Sequence, residues 1–197
     1  MDPTDEELVG AFQRGDSSAF DLLLGRWEGK IRGAIYRITG SDEDSRDIAQ
    51  EAFLRAYRAL SGFRGEARFS SWLYQIALNL CRDRMRQRKG RTLVSLEALA
   101  EEGGRLPQSP TTGPFERVEA CDLSRAVAEA VAALPDEQRE VIVLKEYQEL
   151  TFVEIARVLQ LPVSTVKTRL YRGLVLLRQK LERQGIRGAA PVPASLP

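Results

Sequence analysis

Residues 151–183 read TFVEIARVLQLPVSTVKTRLYRGLVLLRQKLER, and this stretch decides the fold. Thr151 stands at a helix N-cap position ahead of Ile155, Ala156 and Leu159. Gln160-Leu161-Pro162 reads as a turn, because Pro162 cannot continue a helix. A second, longer helix is expected from Val163 or Ser164, with Val166, Leu170, Leu174, Leu177 and Leu181 along one side. At about 100° per residue, Ser164, Thr165, Thr168, Tyr171 and Arg172 point away from that side, and Lys167 and Arg169 sit at its margins. A recognition helix needs this division: one face anchors it, while short polar groups and flanking cations meet base edges and phosphates. An ordinary helical hairpin with a basic surface would share the cap and the turn. An acidic first helix followed by a basic second one favours a helix-turn-helix.

Working outward, Leu123, Val127, Ala130, Val131 and Leu134 form the stripe of a preceding helix, and Pro135 reopens the chain at a helix N1 position before Asp136 and Glu137. The apolar run at 141–144 could be a strand, but its charged flanks Glu140, Lys145 and Glu146 favour helix. Residues 91–119 are rich in Gly, Pro, Ser and Thr and read as a linker with at most a short ordered piece near 93–99. The first half reads as helix throughout. Thr4 and Glu7 have capping-box spacing, Gly15-Asp16-Ser17 breaks the first helix, and Gly40 ends a second whose stripe is Phe20, Leu24, Trp27, Ile31, Ile35 and Ile38. Ser41 caps a third, with Ile48, Ala52, Ala56 and Leu60 inward and Phe53 and Tyr57 beside them. After a loop with two glycines, Ser70 is a candidate cap for a fourth, whose inward stripe is Phe69, Leu73, Ile76, Ala77 and Leu80. The fold expected is all-α: two small helical domains, 4–90 and 120–184, joined by a flexible linker at 91–119 and followed by a frayed tail at 185–197.

The chain has 197 residues, no histidine, two cysteines forty positions apart and a net charge of +1. Without histidine there is no Ser-His-Asp triad, Cys-His pair or imidazole metal ligand, and the carboxylates pair with no nucleophile or metal set. Neither an enzyme nor a bound metal or cofactor is expected. Cys81 and Cys121 have neither zinc spacing nor a disulfide framework. No apolar run approaches the roughly 18 residues of a membrane span, and the N-terminus is acidic where a signal peptide is basic. A cytoplasmic protein without membrane insertion is expected.

The small net charge conceals sorting. Residues 61–91 hold eight basic and two acidic side chains, and residues 162–187 hold seven and one. Acidic stretches separate them, so two surfaces are candidates to meet a polyanion, although solvated helix faces would carry the same charges. The first basic segment also carries aromatics. Phe63, Phe69, Trp72 and Tyr74 cluster with Arg64 and Arg68, and Ser71, Gln75, Asn79, Arg82 and Arg86 lie opposite Leu73 and Ile76. Flat faces for stacking beside cations for the backbone suit unstacked bases. Packing in the core is the competing reading, favoured for Phe69 and evenly balanced for Trp72.

Three stretches, DSRDIAQEAFLRAYRAL at 44–60, FRGEARFSSWLYQIALNLCRDRMR at 63–86 and ALPDEQREVIVLKEYQELTFVEIARVLQLPVSTVKTRLYRGLVLLRQKL at 133–181, closely resemble bacterial RNA polymerase sigma factors of the compact extracytoplasmic-function (ECF) group of the sigma-70 family. The resemblance implies sigma domain 2 at 4–90 and sigma domain 4 at 120–184. It implies a protein that binds core RNA polymerase, at the clamp helices of its largest subunit and the flap region, and directs promoter-specific initiation. Asp47, Gln50, Glu51, Phe53 and Arg55 would dock on the polymerase, with core packing the alternative for Phe53. The loop 61–69 would capture a flipped base of the minus-10 element, with Phe63, Arg64, Arg68, Trp72, Gln75, Asn79, Arg82 and Arg86 as its DNA contacts. Ser164, Thr165, Lys167, Thr168, Arg169, Tyr171 and Arg172 would read the minus-35 duplex. The resemblance further implies an anti-sigma factor and a chain that is monomeric when free or paired 1:1 with its partner. One departure stands out: Gln160, and often Ser164, occupy places where the family carries glycine.

A flexible 30-residue linker spans about 30 Å on average and about 100 Å fully extended, so both domains could engage one promoter while polymerase holds them in register. The rival reading is a two-domain helix-turn-helix regulator that dimerises on a palindrome. It explains 151–183 equally well but leaves the basic-aromatic surface at 63–91 without a purpose.

Overall fold

The computed structural model describes the backbone of residues 2–102 and 120–186 and the side chains of 2–88 and 125–186. Helix α1 (Asp5–Gln13) starts in the expected capping box: Thr4 Oγ1 accepts from the Glu7 N–H, and the Thr4 N–H donates to Glu7. Helix α2 (Ser18–Thr39) is entered through Asp16, whose carboxylate accepts from the Ser18 N–H and hydroxyl, so Asp16 rather than Ser17 satisfies the helix start. Gly40 ends α2 at φ 70°, a left-handed turn that glycine adopts without cost, and Ser41 caps α3 (Asp42–Ala59). A 3-10 turn (Leu60–Gly62) and a loop lead to α4 (Phe69–Glu102). Because α4 begins at Phe69, Ser70 lies in its first turn rather than at its cap.

Helices α2, α3 and α4 pack on one another with α1 alongside. Leu23, Ile31, Ile35, Ile38, Ile48, Leu60, Phe69, Leu73 and Ala77 are buried between them, and small Ala52 and Ala56 let α3 approach its neighbours. Phe12, Phe20 and Tyr57 meet edge to face or tilted, with centroids 5.0–5.9 Å apart. Helix α4 runs on to Glu102, so the ordered piece anticipated near 93–99 is a continuation of this helix and the first part of the expected linker is helical. The rest of that linker, 103–119, and the tail from 187 onward lie outside the described residues.

The second unit comprises α5 (Ala120–Ala132), α6 (Asp136–Ile142), a π-helical turn (Val143–Tyr147), α7 (Phe152–Leu159) and α8 (Val163–Arg183). Pro135 is the N-cap of α6, one place earlier than N1. The run 141–144 is helical and fully buried. Its apolar residues are enclosed because α8 packs against α6 while α2 and α7 pack against the π turn. No strand occurs among the described residues.

The two units form a continuous buried core. Helix α7 packs against α4, and α5 and the π turn pack against α2. Several polar contacts cross between them. Arg82 forms a two-pronged pair with Glu140 at 2.9 and 2.6 Å. The Tyr74 hydroxyl donates to Gln148, Arg139 Nη1 donates to the Ile38 carbonyl at 2.6 Å, and Arg68 lies 3.2 Å from Glu154.

Candidate nucleic-acid interface

The expected reading helix, α8, is built from its anchor outward. Val166, Leu170 and Leu181 are buried as the periodicity requires, while Leu174 and Leu177 are half-buried against the same core. Thr151 and Glu154 form the capping box that starts α7, and α7 ends at Gln160 with φ 55° and ψ 46°. The residue standing where the family carries glycine is therefore in the left-handed region, where an L side chain costs about 1–2 kcal/mol. Pro162 then opens α8, which starts at Val163. Gly173 lets α8 lie close to α6: a Cβ there would stand 2.8 Å from Ile142 Cδ1 and 3.1 Å from Gln138 Cβ.

On the opposite side of α8, Ser164, Lys167, Thr168 and Arg172 are exposed, and Thr165 and Tyr171 are half-exposed. The Thr168 hydroxyl donates to the Ser164 carbonyl at 2.9 Å, so its methyl group and acceptor lone pairs remain for a groove. Lys167 Nζ lies 5.6 Å from the Phe152 ring centroid, which holds the cation beside the helix start. Arg169 is more enclosed and pairs with Glu137 at 3.0 Å. It is the one residue of this set that an acidic side chain already holds.

The second surface is less open than the sequence suggests. Phe69 is fully buried, in line with the core reading. Trp72 is half-buried and meets the Phe63 ring at a tilt of 43°, with centroids 4.9 Å apart. Arg64, Arg68, Asn79 and Arg86 are exposed, Phe63 and Gln75 half-exposed. Arg86 lies 3.4 Å from Asp83 on its own helix. Three expectations need correction. Ser71, read as outward, is buried, and Tyr74 is buried with its hydroxyl on Gln148, because the second domain packs against α4. Arg82 is covered in the same way and engaged by Glu140, itself only 4% exposed. From the sequence Glu140 reads only as a charged flank of the apolar run, and Gln148 carries no functional signal. Glu140 carried a faint signal, a lone carboxylate at the start of an apolar run.

The expected docking helix is α3. Asp47, Gln50 and Arg55 are exposed, and Glu51 accepts from Arg55 Nε at 2.7 Å. Phe53 departs from its expected role: it is 6% exposed and packs in the core, while Leu54 and Tyr57 are the apolar groups that α3 shows to solvent. Asp44, in the first turn of α3, is buried and reached by Arg84 at 3.1 Å and Arg88 at 2.8 Å, tying α3 to α4. Burial, reinforced by the Glu140 and Asp44 carboxylates, pushes the Cys81 thiol up to about 12, so it is an inert core group. Burial also lowers the Arg139 guanidinium, against the pull of Asp136 and Glu140. For Glu154, burial favours the neutral form, but the Thr151 N–H and hydroxyl and the Arg68 charge outweigh it and hold the carboxyl below its usual range. No group of residues suited to a metal ion occurs among the described residues, and no described helix is long and apolar enough to cross a membrane.

A helix-turn-helix with an open polar-basic face, joined to a basic-aromatic helix in a second all-helical unit, defines a two-domain nucleic-acid-binding protein. Comparison with known proteins narrows the class. Residues 23–91 match the family described as Sigma-70 region 2, and residues 124–177 match Sigma-70, region 4. The chain is 40% identical to the ECF RNA polymerase sigma factor SigW of Bacillus subtilis (strain 168), over 89% of this chain and 96% of that protein. It is 34% identical to the ECF RNA polymerase sigma-E factor of Escherichia coli (strain K12), over 91% and 95%. Among solved structures, CnrH in complex with the cytosolic domain of CnrY shares the fold at a TM-score of 0.67 and 27% identity, covering 91% of this chain and 97% of that one. The sigma factor RpoE of Bartonella quintana, solved with the anti-sigma factor NepR, is alike in fold at a TM-score of 0.64 and 20% identity, over 83% and 96%. The chain belongs to the ECF sigma factors of the sigma-70 family.

Proposed function

We propose that the chain binds core RNA polymerase through α3, reads the minus-35 duplex with α8 and captures opened minus-10 bases with the 63–86 region, so directing promoter-specific initiation from the cytoplasm. The observation that carries this reading is the two-sidedness of α8. Val166, Leu170 and Leu181 are buried while Ser164, Lys167, Thr168 and Arg172 are presented together to solvent. Groove contacts from Ser164, Thr165, Lys167, Thr168, Arg169 and Arg172 supply sequence information, and salt-sensitive phosphate contacts supply affinity. On α3, Asp47, Gln50, Glu51 and Arg55 form a mixed-charge rim around Leu54 and Tyr57, the composition of a protein interface. Strand opening follows from trapping bases once they leave the stack, at a few kcal/mol per base, with Trp72, Asn79 and Arg86 as capturing groups.

The work is binding rather than bond-making, and no residue is assigned a catalytic role. CnrH was solved with the cytosolic domain of CnrY, and the sigma factor RpoE of Bartonella quintana with the anti-sigma factor NepR. This chain, alike in fold over nearly its full length, is expected to meet a regulatory partner of the anti-sigma kind. The test is in vitro transcription by core polymerase on a promoter library, with wild type and Lys167→Ala/Arg172→Ala. Selection of one promoter family by the wild type, lost in the double variant, supports the assignment. Unchanged selection by the variant refutes the role of α8, and copurification as a palindrome-bound dimer without polymerase would favour the regulator reading.

A further inference from the structure

We propose that helix α1 braces the loop that captures the opened base, and that Gln13 is the positioning residue through which it does so. This rests on the assignment of the loop 61–69 to the minus-10 element. Helix α1 carries none of the contacts assigned to polymerase or DNA, and it lies before the stretch matched to Sigma-70 region 2, which begins at residue 23. Its last residue, Gln13, nevertheless reaches across 47 and 50 positions of sequence to the root of that loop. Gln13 Nε2 donates to the Leu60 carbonyl at 3.1 Å and to the Phe63 carbonyl at 2.7 Å. These carbonyls belong to the first residue of the 3-10 turn Leu60–Gly62 and to the residue just beyond it. Carbonyl oxygens only accept, so the amide nitrogen must face them, and both of its hydrogens are used. The Leu60 carbonyl also accepts from the Phe63 N–H at 3.1 Å, so the side chain reinforces a turn that the backbone has begun to close.

The brace is itself anchored at both ends. At its start, Asp5 ties α1 to α2 by accepting from Arg26 Nη1 at 2.5 Å and from Trp27 Nε1 at 2.9 Å. At its end, Phe12 packs against Phe20 of α2 and Tyr57 of α3, with centroids 5.9 and 5.3 Å apart. Gln13 therefore projects from a fixed helix and holds its donors still. What it holds is Phe63, extended at φ −67° and ψ 120°, whose ring meets Trp72. The next residue, Arg64, is exposed. Release of the Phe63 carbonyl would free the Phe63 ring to leave Trp72 and would redirect Arg64. A loop ordered in advance pays less on binding a base than one that must first be ordered. Loss of the two bonds should thus weaken base capture at the loop and leave the groove contacts of α8 as they are. The carbonyls that Gln13 grips carry no sequence signal, because every residue has one.

The test uses the full chain and its holoenzyme with core polymerase. Gln13→Met keeps an unbranched side chain of the same length and removes both donors; Gln13→Lys returns donors on a chain of similar reach. Hydrogen–deuterium exchange of the full chain should run several-fold faster over 61–69 in Gln13→Met and near the wild-type rate in Gln13→Lys, with 151–183 unchanged in both. Exchange over 61–69 that stays at the wild-type rate in Gln13→Met would overturn the brace. Run-off transcription is then measured on the promoter the wild type selects, with each base of the minus-10 and minus-35 elements substituted in turn. Gln13→Met should lower discrimination at the captured minus-10 base about five- to tenfold, as for the loss of two neutral hydrogen bonds, and leave minus-35 discrimination unchanged. Gln13→Lys should restore it, which added charge alone cannot do, since phosphate attraction is blind to sequence. An equal fall at both elements would make Gln13 a general stability residue and overturn its positioning role. Phe63→Ala, measured in parallel, separates the brace from the loop. If Phe63→Ala lowers minus-10 discrimination and Gln13→Met does not, the role of Gln13 falls and the loop assignment stands. If Phe63→Ala leaves discrimination intact, the loop assignment falls and takes the role of Gln13 with it.

Discussion

Gly173 gives the sharpest test of how α8 is seated. Replacing glycine by alanine in a helix interior gains about 1 kcal/mol of helix propensity when nothing else changes. At Gly29 on α2 nothing lies within 4 Å of an added Cβ, so that gain should be realised almost whole. At Gly173 the new atom would stand 2.8 Å from Ile142 Cδ1 and 3.1 Å from Gln138 Cβ, inside the roughly 3.5–4.0 Å of an ordinary carbon contact. Ile142 is 1% exposed and would have to shift within a close-packed interior, and Gln138 Cβ moves only with its backbone. Overpacking of this kind costs about 1–3 kcal/mol, which more than offsets the propensity gain. Gly29→Ala should therefore stabilise and Gly173→Ala destabilise, with about 2 kcal/mol between them. That separation corresponds to roughly 4–8 °C in midpoint for a chain of this size. Thermal and urea unfolding of the full chain, followed by far-UV circular dichroism, reads it directly. Equal stabilisation by the two substitutions would refute the claim that α6 and α8 meet at a contact only glycine permits.

Gln160→Gly should raise the unfolding free energy read from urea titration by about 0.5–1 kcal/mol, since relief of left-handed strain exceeds the added freedom of glycine in the unfolded chain; a fall in stability would mean the Gln160 side chain contributes more than its backbone costs. Lys167→Ala and Arg172→Ala should each weaken promoter-specific transcription by about 1–3 kcal/mol equivalent if they contact bases, whereas a pure phosphate contact would lower affinity evenly across sequences and flatten the salt dependence by about one ion. Cys81 titrates at its ordinary 9.0 when unfolded and near 12 when folded, so above pH 9 the unfolded state holds fewer protons. Stability should then fall with rising pH by about 1.4 kcal/mol per unit from this group, and the slope between pH 9 and 10 should be shallower in Cys81→Ala; an unchanged slope would show that Cys81 is not the titrating group.

Most of the fold could be read from short-range signals, because helix starts and stops are local chemistry. Thr4 with Glu7, Gly40, Ser41, Thr151 and Pro162 mark boundaries through their own backbone needs, and each lies at a boundary in the structure. Ser70 misled because its neighbour Phe69 is drawn into the helix by core packing, a tertiary effect that the cap pattern does not carry. The two faces of α8 were legible for a related reason: buried and exposed residues alternate with the helix period. The face of α4 was not. Periodicity separates Leu73 from Arg82, but it cannot say that a second domain supplies Glu140 and Gln148 to the polar side. Phe53 shows the limit within one helix, since α3 is flanked on more than one side and an aromatic beside the main stripe is still enclosed.

The grip of Asp44 on Arg84 and Arg88 has a mechanical consequence. The first turn of α3 is bolted to the far part of α4 by a buried carboxylate, and Arg84 lies a further 4.0 Å from Asp47. Helix α3 and helix α4 must then turn as one yoke. Over residues 69–88 α4 is ~30 Å long, so a tilt of about 5° imposed on α3 would swing its end by roughly 2.6 Å, almost the length of a hydrogen bond. On the proposed assignment of α3 to docking and α4 to the opened strand, the angle at which polymerase seats α3 would decide which contacts the far end of α4 can make, and a small error in seating would break hydrogen bonds there.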